Sequence, residues 1–158
     1  MRKFEIISKG QYEKDLKELC NYEDISLPTR STKHSAGYDF KSPISFILNP
    51  GESKKVPTGI KVCMNEDEYL AIIVRSSMGF KYNIRLCNQV GIVDSDYYNN
   101  PDNEGHIFIK IQNEGNEPLN IDKGDRFAQG IFTKYLLTDD DSSTKDRNGG
   151  FGSTGKGE

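Results

Sequence analysis

Four short stretches place groups suited to a phosphorylated ligand next to apolar segments. In residues 75–81, RSSMGFK, a guanidinium is followed by two hydroxyls and a glycine, directly after the apolar run YLAIIV. Arginine at a strand end can bond two phosphate oxygens at once, and Ser76 and Ser77 add neutral donors. In residues 88–100, NQVGIVDSDYYNN, an apolar run broken by Gly91 ends at Asp94, Asp96 and Tyr97. That pattern reads as a strand entering a tight turn, with a carboxylate and an aromatic ring at a pocket mouth. Taken alone, ordinary turn chemistry explains these carboxylates equally well. Residues 123–132, KGDRFAQGIF, turn at Gly124 and Asp125. Asp125 and Arg126 most simply serve that turn, whereas the amide of Gln129 can donate to a phosphate. In residues 149–155, GGFGSTG, glycines let the backbone approach a triphosphate, Ser153 and Thr154 supply hydroxyls, and Phe151 offers a flat face for a nucleobase. The GxxxxGK[ST] spacing of the NTPase phosphate loop is absent.

The segments that must hold these groups alternate apolar and polar residues over four to eight positions and end in Gly, Pro or Asn clusters, the pattern of half-buried strands. Residues 4–7, 44–48, 55–63, 69–74, 106–112 and 127–134 fit it. The expectation is an all-β fold, a compact antiparallel β-barrel or jelly roll with one short helix and a flexible glycine-rich C-terminal arm. The helix is placed by Tyr12, Leu16, Leu19 and Cys20, which share one helical face. Residues 1–137 form the barrel domain. Residues 138–158 change to an acidic, then glycine-rich composition that cannot bury a core, and form a mobile arm closing over the site.

Composition narrows the function classes. At 158 residues with a formal charge of -3, the chain suits one domain and offers no broad basic surface for a nucleic-acid backbone. No apolar run approaches the roughly 20 residues that span a bilayer, and the charged N-terminus lacks a secretory signal pattern, so cytoplasm is the expected compartment. Cys20, Cys63 and Cys87 are isolated, which suggests neither a disulfide framework nor a zinc site. His34 and His106 lack companions at a metal or triad spacing and read as loop residues.

AGYDF at 36–40, RSSMGFK, NQVGIVDSDY, GDRFAQ and GGFGSTG, in this order, resemble the five motifs of the trimeric dUTPases. The resemblance implies hydrolysis of dUTP to dUMP and pyrophosphate, which limits uracil incorporation into DNA and supplies dUMP for thymidylate synthesis. Asp94 would activate the water that attacks the α-phosphate. Tyr97 would stack beneath the deoxyribose and exclude a 2′-hydroxyl. Asn88, with the backbone of Gly91, Ile92 and Val93, would face the uracil in a slot too tight for a 5-methyl group. Arg75, Ser76, Ser77 and Gln129 would bind the phosphate chain, and Asp39 would hold waters of a Mg2+ ion bridging the phosphates. From the arm, Phe151 would cover the uracil, with Arg147, Gly152, Ser153 and Thr154 at the phosphates. A homotrimer is implied, each site drawing on three chains.

The match has departures. Phe40 stands where leucine is commoner, Ser77 replaces a frequent glycine, the arm's RNGGF is one residue short, and residues 99–104 look inserted. Two rivals stay open. A dCTP deaminase would need a glutamate at the pocket, and none lies near residues 90–98. A nucleotide-gated binding protein would use the same pocket to signal to an unknown protein partner, with the acidic linker and the 99–104 insertion as its surfaces. Truncation after Thr144 is expected to cut pyrophosphate release while leaving the assembly intact in sedimentation; a fully active truncated protein would make the tail dispensable.

Overall fold

The computed structural model describes residues 1–147 and 149–150, and the expectations for Phe151, Gly152, Ser153 and Thr154 lie outside them. The largest sheet is built around β7 (Glu68–Val74), whose EYLAIIV sequence buries Glu68, Leu70 and Ile72 on one face by strict alternation. On one side it pairs antiparallel with β12 (Arg126–Lys134), and beyond that lie β3 (Tyr38–Lys41) and β2 (Thr29–Arg30). On its other side β9 (Gly91–Asp94) forms the sheet edge.

Three smaller antiparallel ladders complete the fold. β10 (Phe108–Asn113) joins β5 (Ser53–Pro57) to β8 (Ile84–Leu86), β1 (Lys3–Ile6) pairs with β6 (Ile60–Cys63), and β11 (Leu119–Ile121) pairs with β4 (Phe46–Leu48). Inward residues from these sheets, including Phe40, Val56, Leu70, Ile84, Ile109, Ile111 and Phe127, form one continuous core. The all-β class is as expected, with the ladders kept as four separate sheets rather than one closed barrel.

Three local readings are corrected. The single strand expected over residues 55–63 is two, because the chain changes sheets at Thr58 and Gly59. There Thr58 Oγ1 donates to the Ile107 carbonyl at 2.7 Å and Gly59 N–H donates to His106 Nε2 at 2.9 Å. The N-terminal helix, α1 (Lys9–Asp15), is capped by the Ser8 hydroxyl and stops before Leu19, so Leu16 is buried while Leu19 is 52% exposed. A second helix, α2 (Ser76–Tyr82), occupies the stretch after β7 and ends at Asn83 in the left-handed conformation, φ 52°.

His106, read as a loop residue, is fully buried. Its Nε2 accepts from Gly59 and its Nδ1 lies 2.6 Å from Asp15 Oδ2, so the neutral ring carries its proton on Nδ1 and donates it to the carboxylate. A second proton would put Nε2–H against the Gly59 N–H. Burial pushes the imidazole below the ordinary histidine value of 6.5, with the Asp15 contact opposing. A depressed folded-state value means that the unfolded chain takes up the proton first. The stability from this group is thus complete above about pH 6.5 and declines as pH falls toward the lower folded value. The unfolding free energy is expected to fall between pH 7.5 and 5.5, by up to about 1.4 kcal/mol per pH unit, and calorimetry of His106→Gln should show a flatter profile; equal slopes would assign the drop to other groups.

Candidate active site

β9 is the edge of its sheet, so alternate residues turn backbone N–H and C=O groups away from β7. Those free groups border a cavity of about 580 Å³, lined by Asn88, Gly91, Ile92, Val93, Asp94 and Tyr97 from the hairpin. The Ile107–Lys110 segment, Lys55 and Cys87 supply other walls, and Arg147 and Gly150 of the arm approach its mouth. Every base- and sugar-facing residue expected from the sequence within the described residues therefore meets in one place. No glutamate lines the cavity among the described residues.

Asp94 ends β9 with its side chain 51% exposed. Arg147 Nη2 binds its Oδ2 at 2.7 Å, while Nε of the same guanidinium binds Asp96 Oδ1 at 2.7 Å. The guanidinium also lies over the Tyr97 ring, 5.8 Å from the centroid. Arg147, expected at the phosphates, is thus placed on the carboxylates. Asp96, given no role from the sequence, shares in holding it. Burial pushes the Tyr97 phenol above its ordinary value, so the ring is a neutral wall.

The phosphate candidates form a second cluster. Asp39 and Gln129 are cross-strand partners on β3 and β12. Asp39 is buried, accepting from Arg75 Nε at 3.0 Å on Oδ1, and from Ser31 Oγ at 2.5 Å and Arg126 Nη1 at 3.3 Å on Oδ2. Arg126 therefore does more than serve its turn; Asp125 does that, its Oδ2 accepting from Asp122 N–H at 2.9 Å. Arg126 falls three positions before Gln129, a spacing that a strand with a bulge between Arg126 and Ala128 can bring to one face, and that bulge has no sequence signature. Ser76 and Ser77 are exposed at the start of α2 beside Arg75. Gly37 leaves room for the Gln129 amide: a Cβ there would lie 2.2 Å from Gln129 Oε1 and would push that side chain aside.

The two clusters hang from opposite ends of one strand. Asp94 lies across from Tyr69, near the start of β7, and Arg75 follows its last residue, Val74. At about 3.3 Å per residue, the Tyr69-to-Val74 span is about 17 Å. None of Asp39, Arg75, Ser76, Ser77 or Gln129 lines the hairpin cavity.

With this geometry in hand, comparison with known proteins is decisive. The family model described as dUTPase matches residues 23–155. The chain belongs to the dUTPase family. Membership makes it an enzyme of the dUTP diphosphatase class, a hydrolase of nucleotide metabolism. A deoxyuridine 5′-triphosphate nucleotidohydrolase of Lactococcus lactis is 47% identical over 133 residues, covering 83% of this chain and 89% of its own. One from Haemophilus influenzae is 38% identical over 141 residues, covering 84% and 89%. The crystal structure of a Streptococcus mutans dUTPase superposes with a TM-score of 0.70 at 39% identity, covering 86% of this chain and 98% of that one. A dUTPase of the Staphylococcus aureus phage phi11 shares the fold at TM-score 0.68 and 18% identity, covering 92% and 97%.

The donor set limits how a metal would be held. Both Asp39 oxygens already accept hydrogen bonds, and among the described residues no group of three His, Cys, Asp or Glu side chains could ligate an ion. Oδ1 accepts only one of these bonds and keeps a lone pair, which suits a metal-bound water rather than the metal itself. Asp39 also holds two guanidiniums together. Asp39→Ala is expected to leave Arg75 and Arg126 in mutual repulsion and to lower unfolding stability by about 2 kcal/mol, discounted for their partial exposure; urea denaturation measures it, and a loss below about 0.5 kcal/mol would make the bridge decorative.

Proposed function

We propose that this chain hydrolyses dUTP to dUMP and pyrophosphate by in-line attack of water on the α-phosphate, with Asp94 as the base. The observation that carries the reading is a half-exposed carboxylate at the mouth of a hairpin cavity whose edge strand offers unpaired backbone groups to a pyrimidine. Asn88 and the Gly91–Val93 backbone read the uracil edge. A cytosine presents the reversed donor and acceptor, which leaves buried polar groups unpaired, and a thymine methyl meets the cavity wall. Tyr97 packs beneath the deoxyribose, where a 2′-hydroxyl would clash.

Arg75, Ser76, Ser77 and Gln129 bind the phosphate chain, with Arg126 beside them. Because these lie about 17 Å along β7 from Asp94 of the same chain, a complete site pairs the hairpin of one copy with the phosphate cluster of another. That supports a homotrimer in which three such sites close on each other. Mg2+ bound to the triphosphate would offset its charge and fix the α-phosphorus; Asp39 would reach it through water. The triphosphate competes for Arg147, drawing its guanidinium off Asp94 and freeing that carboxylate to take a proton from water. Phe151, Gly152, Ser153 and Thr154 then cover the base and phosphates. The product serves thymidylate synthesis, and substrate removal keeps uracil out of DNA.

Pyrophosphate release is expected with dUTP and at least about 100-fold less with dCTP, dTTP or UTP, and it should fall on chelation of divalent ions. Asp94→Asn is expected to lose about three orders of magnitude in kcat while still binding dUTP. Ammonia release from dCTP, or retained turnover in Asp94→Asn, would overturn the assignment.

A further inference from the structure

Residues 99–104, which look like a surface insertion in the sequence, are knotted together with Gly105 around the ring that walls the cavity. The Tyr97 hydroxyl donates to the His106 carbonyl at 2.9 Å, which uses its single hydrogen. The 2.9 Å contact with Asn103 Nδ2 is therefore a donation by the amide to the phenol oxygen. Asn103 cannot flip, because its Oδ1 accepts from Asn100 Nδ2 at 2.8 Å and Gly105 N–H at 3.1 Å. Asn100 is buried and closes the knot: its Nδ2 also donates to the Tyr97 carbonyl at 2.8 Å, and its Oδ1 accepts the N–H groups of Asp102 and Asn103 at 3.1 and 3.2 Å. Gly105, with φ 82°, passes so close that a Cβ would stand 2.6 Å from the Tyr97 carbonyl oxygen.

The outer side of the same loop meets the arm. Gly149 and Gly150 are buried, and Gly150 N–H donates to Asp102 Oδ2 at 3.4 Å. A Cβ on Gly150 would lie 3.0 Å from Asp102 Oδ2 and 3.3 Å from Asn103 Nδ2. One amide therefore has the sugar-facing tyrosine on one side and the arm's glycine pair on the other.

We propose that Asn103 is a positioning residue that holds Tyr97 against the deoxyribose through its hydroxyl and so stiffens the wall that excludes a ribose. The inference rests on the dUTP reading above and deepens it. Discrimination against a 2′-hydroxyl is steric, and steric exclusion is only as strong as the wall's resistance to displacement. A tyrosine held only at its ring and backbone can tilt away from an added hydroxyl. One pinned at its para oxygen cannot tilt without breaking two hydrogen bonds.

Asn103→Asp probes this role against a merely structural one, since it keeps the shape and the Oδ1 acceptor but exchanges the donor to Tyr97 for a charged acceptor that faces the phenol oxygen, while Asn103→Ala removes the contact outright. The test compares kcat/KM for dUTP and UTP in the wild type, Asn103→Asp and Asn103→Ala, with melting temperatures alongside. The dUTP-to-UTP ratio is expected to fall about 10-fold in both Asn103 variants. An unchanged ratio in the Asn103 variants, or equal losses on both substrates, overturns the positioning role. A wild type that does not turn over dUTP overturns the underlying reading and this inference with it, whereas an active wild type with an unchanged ratio overturns the inference alone.

Discussion

The length of β7 governs how chemistry is distributed over this chain. Its seven residues are fixed at the centre of the main sheet, hydrogen-bonded to β12 along their full length and to β9 over Tyr69–Ile72. Leu70 and Ile72 anchor it in the core at 0% and 2% exposure, so neither end can shift toward the other without cavitating the interior. Asp94 at one end and the Arg75 cluster at the other are consequently held apart by a rigid spacer. In the proposed reaction, the rigidity that keeps one chain from completing a site would make a site between copies reproducible, because each copy presents both halves in a fixed relation.

Asp39 and Asp94, the two carboxylates of the proposed reaction, sit in opposite environments. Asp39 is buried and satisfied by two guanidiniums and a hydroxyl, an arrangement that orients Arg75 and Arg126 rather than leaving a reactive group. Asp94 is half exposed and shares a single guanidinium with Asp96. With Asp94 half exposed, an ion pair of this kind contributes little to stability and is readily exchanged for a stronger anion. A triphosphate is such an anion, so in the proposed reaction substrate would remove the contact that quiets Asp94.

How much of this was legible in the sequence depended on whether the deciding interaction was local. The alternation in residues 69–74 identified β7 directly, and the break at Gly91 before Asp94 identified the pocket mouth. The strand over residues 55–63 was misread because its division is imposed from outside, by Thr58 bonding Ile107 and Gly59 bonding His106, some 47 to 49 positions away. α2 was hidden for a related reason: Ser76–Tyr82 has one buried residue, Met78, and hence no apolar stripe to announce a helix. Arg126 was assigned to its turn because its partners, Ser31 and Asp39, lie 95 and 87 positions earlier. Short β2, β3, β8 and β11 carry too few residues for alternation to register.

The 99–105 loop shows the same limit and what lies beyond it. Its sequence, NNPDNEG, has the composition of a solvated excursion, and Asn, Asp and Gly are what a surface turn requires. Those same residues are also the ones able to bond backbone and side chain at close range, so a turn composition and a tightly satisfied knot cannot be told apart by content. Here the knot forms because Tyr97 supplies a carbonyl and a phenol oxygen as fixed partners, and Gly105 lets the chain pass beside them. A loop bonded to a pocket wall in this way holds that wall in place, because neither Asn100 nor Asn103 can move without leaving a polar group unpaired. Tyr97, Asn100, Asn103 and Gly105 are therefore parts of one hydrogen-bonded unit at the wall of the cavity.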